Sequence, residues 1–293
     1  MARLISIELL KIRKRTMTKV LLVILLAVMA MLPFLLYILL QQPVQGPEFQ
    51  QQGAAMMKEL ADSLKFPGSF VFTFSILQNI GGILLIILAA GVVGSEYGWG
   101  TVRTMLANYP ARYRYLGAKL VALAIVGVIG MLLGLVAGTL GSLGVTLLMG
   151  EGISADSITA DLLGSVAMDF LRTSYTIMPY TALAFFLSVL GRSAMPGIAG
   201  GLAYTFLESM VAQLLTLLGG WAADIAKFSF DSNIKVLMAL NGASGVRAGV
   251  GVGVTGDEVP ALDPWQAALL LLAYSAVLAV AAFVIFRRRD VTA

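Results

Sequence analysis

The chain has 293 residues, of which 59% are hydrophobic and 12% are charged, and its formal net charge is +4. A soluble domain carries about 25% charged residues, so this composition excludes an ordinary soluble protein and predicts an integral membrane protein. The chain contains no cysteine and no histidine. It therefore lacks a disulfide framework, the commonest metal ligand and the commonest general base, and we predict neither a metal site nor catalytic residues.

The N-terminal segment is basic and has helical periodicity. Ile5, Leu9 and Ile12 recur on one side, while Glu8, Lys11 and Arg15 belong to another. This pattern is typical of a helix that lies in the inner membrane interface, where Lys11 and Arg15 would meet anionic lipid headgroups. The alternative is a plain basic flank to the first membrane span. A cleaved signal peptide is disfavoured, because the apolar run that follows is longer than a signal sequence needs.

Six apolar stretches are long enough to cross a bilayer, which takes about 20 residues. We predict one all-α membrane domain covering residues 1–293, with spans over residues 20–40, 70–93, 120–149, 175–190, 196–218 and 265–286. The fourth stretch has the weakest start, because Asp169 and Arg172 lie just before it. These two residues belong either to its outer end or to the preceding loop.

Lysine and arginine placement predicts that both termini are cytoplasmic. With the N-terminus inside, 14 of the 20 basic residues lie on the inner side. The long segment between spans five and six is then on the outer side. It contains the amphipathic sequences WAADIAKF and NIKVLMAL, which are suited to helices that dip back into the outer leaflet.

A polar stretch over residues 94–120 interrupts two long apolar runs and lies on the inner side. It begins with Glu96, continues with Gly100, Thr101 and Arg103 in a glycine-threonine turn, and ends with a basic group before the third span. One interpretation of the polar stretch is a hairpin at the membrane surface whose basic residues set the orientation of the spans. This interpretation accounts for the basic residues of the stretch, Arg112 and Lys119 among them. It accounts neither for a carboxylate at the end of a span nor for a turn followed by a short helix.

Small and acidic residues mark two of the spans. Gly130, Gly134 and Gly138 recur at four-residue spacing in the third span and allow close helix packing, either static or sliding. Glu208 lies inside the fifth span. A carboxyl group at membrane depth is costly, so Glu208 either contacts cargo in a transport pathway or forms an interhelical hydrogen bond.

The order Glu96, turn, Gly100-Thr101-x-Arg103, apolar run, Ala111-Arg112 and Lys119 resembles the permease subunits of type-2 ABC transporters. Gly191-Arg192-Ser193 before Pro196 is a second match, and the layout of the whole chain is similar. Asn108-Tyr109-Pro110 departs from the family pattern and would shift the end of the short helix.

This resemblance implies a six-span subunit without an ATPase site, located in a bacterial or archaeal plasma membrane. It would pair with a second permease, as a homodimer or related heterodimer, and with cytosolic ABC ATPase subunits that bind ATP and Mg. The helix after Gly100 would be the coupling helix, with ATPase coupling carried by Glu96, Gly100, Thr101, Arg103, Arg112 and Lys119. The outer segment would hold re-entrant helices that gate the exit.

The function expected is export of a hydrophobic or amphipathic substrate across a lipid membrane, with no nucleic acid involved. An ion-coupled secondary carrier is the main alternative, although such carriers commonly show inverted repeats and several intramembrane ionisable groups. A membrane anchor or sensor without transport is a further alternative. A membrane enzyme is disfavoured by the lack of histidine.

Overall fold

The computed structural model describes residues 1–41, 58, 60–101, 112–150, 159–243 and 262–288. These residues are helical apart from short turns and connections. Among them are six helices long and apolar enough to cross a membrane: Thr16–Leu40, Ser69–Gly98, Tyr113–Leu148, Ala160–Gly191, Ala194–Leu218 and Pro264–Arg288. The predicted all-α class with six candidate spans is confirmed.

The helices are numbered in chain order. The first five are α1 (Ala2–Lys14), α2 (Thr16–Leu40), α3 (Ser69–Ile76), α4 (Gly82–Gly98) and α5 (Arg112–Leu148). One π-helical turn, Leu77–Gly81, joins α3 to α4 within the second span. The later helices are α6 (Ala160–Thr176), α7 (Met178–Gly191), α8 (Ala194–Leu218), α9 (Gly220–Ala226), α10 (Phe230–Met238) and α11 (Pro264–Arg288).

The fourth span is longer than the sequence predicts. Residues 175–190 carry the apolar signal, whereas the helical span begins at Ala160 and is interrupted only at Ile177, between α6 and α7. Asp169 and Arg172 belong to its outer end, and their side chains pair at 3.1 Å. This interruption falls just before Pro179, whose ring removes one backbone donor from the helix. Pairing of the two charges allows the helix to continue through a polar stretch.

Glycines bring the helices into close contact. A side chain at Gly141 of α5 would lie 2.6 Å from the carbonyl oxygen of Ala30 in α2, so only glycine fits between these backbones. Gly94 of α4 similarly lies against the backbone of Ala194 at the start of α8. The predicted close packing is present in part: Gly134 and Gly138 lie against side chains of neighbouring helices, whereas nothing lies within 4 Å of a side-chain carbon added at Gly130.

α7 lies at the centre of the bundle and packs against α4, α8 and α11. α1 packs mainly along the inner end of α5 and also touches α2. The short helices α9 and α10 occupy the segment where the sequence predicts re-entrant helices. The predicted coupling helix falls mostly on residues 102–111, which lie outside the described residues.

Candidate functional site

Three charged side chains meet in the protein interior at the inner end of the bundle. Lys119 of α5 donates a hydrogen bond to Glu8 of α1 at 2.7 Å, and its ammonium lies 3.0 Å from the carboxylate of Glu96 in α4. The side chains of Lys119, Glu96 and Glu8 are only 2%, 3% and 5% exposed. We call these residues, with Lys11, Arg15 and Tyr115, the inner charge cluster.

Lys11 bridges the two carboxylates from the edge of the inner charge cluster. Its ammonium lies 2.8 Å from Glu8 and 3.3 Å from Glu96. Burial acts to lower the pKa of Lys11, but the hydrogen bond to Glu8 and the negative charge of Glu96 outweigh it. The net effect raises the pKa of Lys11 above its ordinary value of 10.5. Lys11 is therefore a charged member of the cluster at neutral pH.

Arg15 fixes the angle between α1 and the first span. The helix breaks there because Arg15 has an extended backbone, with φ −67° and ψ 132°. Its guanidinium donates to the hydroxyl of Ser95 at 2.6 Å and to the carbonyl of Gly91 at 3.1 Å, and it also stacks over the Trp99 ring. These contacts join the turn between α1 and α2 to the end of the second span.

Tyr115 completes the inner charge cluster from α5. Its hydroxyl donates to the carboxylate of Glu96, and the ammonium of Lys119 lies 5.2 Å from the centre of its ring. The cluster thus combines three cations with two carboxylates, all drawn from α1, the α1–α2 turn, α4 and α5. Isolated charges are costly to bury, and mutual pairing offsets much of that cost. The cluster therefore holds these elements in one arrangement.

The residues predicted to couple to an ATPase do not all have the same place in the structure. Glu96 and Lys119 are paired inside the chain. Gly100 has a positive φ of +67° and forms the turn after α4, and the Thr101 hydroxyl donates to the carbonyl of Glu96 at 3.3 Å. Arg103 lies outside the described residues. Arg112 begins α5, and its side chain is also outside them.

Lys11 and Arg15 contact the protein rather than only the lipid headgroups that the sequence suggests. Sequence reasoning also missed Glu8, Ser95 and Tyr115 as members of the site. Glu8, Lys11 and Arg15 share the spacing of one helix face, i, i+3 and i+7, which was an available signal. Their partners could not be deduced from spacing, because they lie more than 70 residues away in the chain.

A second polar site surrounds Glu208 in α8. Its carboxylate accepts hydrogen bonds from the Tyr180 hydroxyl at 2.8 Å, the Tyr204 hydroxyl at 3.4 Å and the backbone N–H of Phe230. Phe230 is the first residue of α10, so Glu208 satisfies a backbone donor that the helix itself leaves free. The carboxylate joins the fourth and fifth spans to the outer segment.

The family model described as ABC-2 family transporter protein matches residues 3–291. This match covers nearly the whole chain, and the chain belongs to that family. It is also similar to an uncharacterised protein named YhcI of Bacillus subtilis (strain 168). The two are 24% identical over an alignment of 233 residues that covers 76% of this chain and 68% of the relative.

The family identifies the class of protein. The chain is a multi-pass membrane protein of the ABC-2 transporter family, which is consistent with a permease subunit. Such subunits are generally not catalytic themselves and normally work with a cytosolic ATPase subunit.

Proposed function

We propose that this chain is the permease subunit of an ATP-driven exporter in a bacterial or archaeal plasma membrane. Two permease copies, identical or related, form the pathway, and two cytosolic ATPases bind ATP and Mg and hydrolyse the nucleotide. The cargo is a hydrophobic or amphipathic molecule. Membership of the ABC-2 family supports the permease assignment, and the direction of transport follows by analogy with that family.

The inner charge cluster carries this proposal. The segment that links the second and third spans, residues 99–111, leaves α4 three residues after Glu96 and enters α5 seven residues before Lys119. The ion pair between Glu96 and Lys119 links the two helices from which this segment emerges. A partner that pushes on the segment would therefore move both spans together and, through Glu8, would also move α1. This is the mechanical link that an ATP-driven permease requires.

The proposed roles differ along the segment. Glu96 and Lys119 are positioning residues, since they are buried and reach no external surface of the described chain. Gly100 and Thr101 shape the turn, while Arg103 and Arg112 supply charge for contact with the ATPase. Lys11 and Arg15 attach α1 to the same unit, so that α1 moves with the segment.

The exposed surface of α8 supports pairing with a second permease. Leu207, Met210, Leu214 and Leu217 of α8 are each at least 58% exposed in the single chain. They form an apolar stripe at helical spacing, which is available to a second copy or to lipid tails. An apolar pathway formed at such a surface is compatible with hydrophobic or amphipathic cargo.

Affinity purification of the tagged full-length chain from native membranes tests the proposal. We expect an ATP-binding subunit to copurify, and the reconstituted complex to hydrolyse ATP and to require it for transport. Transport by the chain alone, driven by an ion gradient and independent of nucleotide, would overturn the proposal in favour of a secondary carrier.

A further inference from the structure

The segment after the fifth span turns back into the bundle. Gly219 and Gly220 both have positive φ, +68° and +57°, and these glycines reverse the chain direction at the end of α8. α9 then runs back along α8, and α10 returns against α11. We call Gly220–Met238 the outer hairpin.

Two independent hydrogen bonds fix the depth of the hairpin tip. The Tyr274 hydroxyl donates to the carbonyl of Phe228 at 2.9 Å, and the N–H of Phe230 donates to Glu208. Tyr274 lies ten residues after the start of α11, and Glu208 lies ten residues before the end of α8. At 1.5 Å per residue the tip is about 15 Å below the outer ends of both helices, inside a hydrocarbon layer about 30 Å thick.

The tip is rigidly built. The Ser229 hydroxyl accepts a hydrogen bond from the N–H of Ser232 at 3.1 Å and so caps α10. The Asn233 side chain donates to the carbonyls of Lys227 and Ser229 at 2.8 Å and 2.6 Å. The rings of Tyr180, Phe230 and Tyr274 pack in sequence, with centres 5.5 Å and 4.9 Å apart. The tip therefore has a fixed position in the bundle.

An ion pair lies on the exposed side of this deep hairpin. The Lys227 ammonium is 2.6 Å from the Asp224 carboxylate, and the two side chains are 28% and 66% exposed. On insertion scales a charged group costs about 2.5–3.5 kcal/mol at the bilayer centre, and the cost falls toward the interface. Asp224 lies one helical turn above the tip and has a short side chain, so it cannot extend to the membrane surface as a lysine can. Water or a polar group must therefore face it.

Large apolar side chains flank the ion pair on the same surface. Trp221, Ile225 and Phe228 are 77%, 51% and 54% exposed. The spacing of Trp221 and Ile225 places them on the side of α9 that carries Asp224, and Phe228 follows just after this helix ends. The surface thus offers one positive charge, one negative charge and an apolar area beside them. This combination is complementary to a molecule with a zwitterionic head and an apolar tail.

We propose that the exposed face of the outer hairpin lines a water-filled vestibule open to the outer side, and that this vestibule receives zwitterionic amphipathic cargo. The head group contacts Asp224 and Lys227, and the tail lies on Trp221, Ile225 and Phe228. This inference rests on the proposed function, because it names the class of molecule that the permease releases.

Cysteine labelling tests the vestibule directly, since the native chain contains no cysteine. Ile225→Cys places a thiol beside the ion pair without removing either charge. Leu272→Cys is the matched control, because it lies at similar depth in α11, is 51% exposed as Ile225 is, and has no charged residue in the adjacent turns of its helix. Both variants are treated in intact cells with a membrane-impermeant maleimide added from outside.

We expect the Ile225→Cys variant to label about tenfold faster than the Leu272→Cys variant, because maleimide reacts with the thiolate, which forms in water and not in hydrocarbon. Dodecylphosphocholine below its micellar concentration should slow labelling of the Ile225→Cys variant, whereas phosphocholine without a tail should not. Equal labelling of the two variants, or crosslinking of the Ile225→Cys thiol between two permeases in place of labelling, would overturn the vestibule. Labelling that dodecylphosphocholine leaves unchanged would overturn the cargo assignment.

The result is separable from the ATPase question, since labelling requires neither ATP nor a partner subunit. Failure to label in a complex with intact ATP-driven transport would refute only the vestibule. Nucleotide-independent transport with normal labelling would instead refute only the ATP-driven function.

Discussion

At the scale of single residues, buried charge makes the main contribution to the site. Lys119 is an ammonium group that contacts two carboxylates, and the whole residue is 2% exposed. The presence of a basic residue before the third span was predictable from the sequence. Its burial was not, because the same pattern would suit a lysine that reaches to the membrane surface. The difference comes from Glu8 and Glu96, which supply negative charge from two other helices.

We expect Lys119→Met to destabilise the protein by about 3–5 kcal/mol, because it leaves Glu8 and Glu96 with too little positive charge in a buried site. Unfolding of the purified protein in mixed micelles, followed by circular dichroism, measures the loss. Lys14→Met is the control, since Lys14 is exposed on α1, and it should leave the unfolding midpoint unchanged. A Lys119→Met protein as stable as the native one would contradict the structural role of the cluster.

Glu208→Gln should loosen the outer hairpin while leaving the protein assembled. Glutamine replaces one acceptor oxygen of the carboxyl group with an N–H donor, so one of the hydrogen bonds from Tyr180 and Phe230 is lost. A lost hydrogen bond costs roughly 1 kcal/mol, so amide exchange in α10 should rise about fivefold. Hydrogen exchange with mass spectrometry measures this change, and altered transport or ATPase stimulation should accompany it. Ser209→Ala is the control, because the Ser209 hydroxyl bonds to its own helix, at the carbonyl of Phe206. Unchanged exchange in α10 would show that Glu208 does not hold the hairpin.

At the scale of secondary-structure elements, glycine positions determine which helix faces can approach. Regular spacing of small residues predicted close packing of the third span, and the structure shows that the partner of Gly141 is α2. The same helix also contains Gly130, around which nothing lies within 4 Å of an added side-chain carbon. Spacing alone does not separate these two cases, because it does not reveal which helix lies opposite.

Gly141→Ala should lower stability by about 1–3 kcal/mol, because its methyl group would press on the backbone of Ala30 and separate α5 from α2. Gly130→Ala, in the same helix, meets open space and should be neutral or stabilising by up to about 1 kcal/mol. The same micellar unfolding assay compares the two variants directly. Equal effects at both positions would argue against close α2–α5 packing.

At the scale of the whole molecule, the inner charge cluster and the outer hairpin lie at opposite ends of the same bundle. α4 belongs to the first and packs against α7 and α8, which hold the hairpin through Tyr180 and Glu208. If α4 moves at its inner end, it therefore pushes on α7 and α8, the two helices that support the outer hairpin. This continuity of packed helices provides a physical route for coupling between the two ends.

Arg103→Glu should weaken binding of the ATPase about tenfold, which corresponds to about 1.4 kcal/mol, because it reverses a charge in the proposed contact segment. Quantitative copurification at several salt concentrations measures the change. Arg288→Glu, an equally large charge change at the exposed inner end of α11, should retain binding. Glu96→Gln should act differently and reduce stability first, since Glu96 is buried. Normal ATPase binding by Arg103→Glu would remove Arg103 from the contact.

Hydrophobic run length, charge asymmetry and the Glu96–Lys119 motif are local properties, so the membrane class, the six spans and the family resemblance could be read from the residues alone. Which charges pair became known only from the packed helices, because Glu8, Glu96 and Lys119 come from separate helices and the contact between Glu8 and Lys119 spans 111 residues of the chain. Packing likewise placed Asp224 and Lys227 at depth, since that depends on two hydrogen bonds to other spans. Long-range contacts of this kind leave no periodicity in the chain, and their energy appears only once the helices have packed.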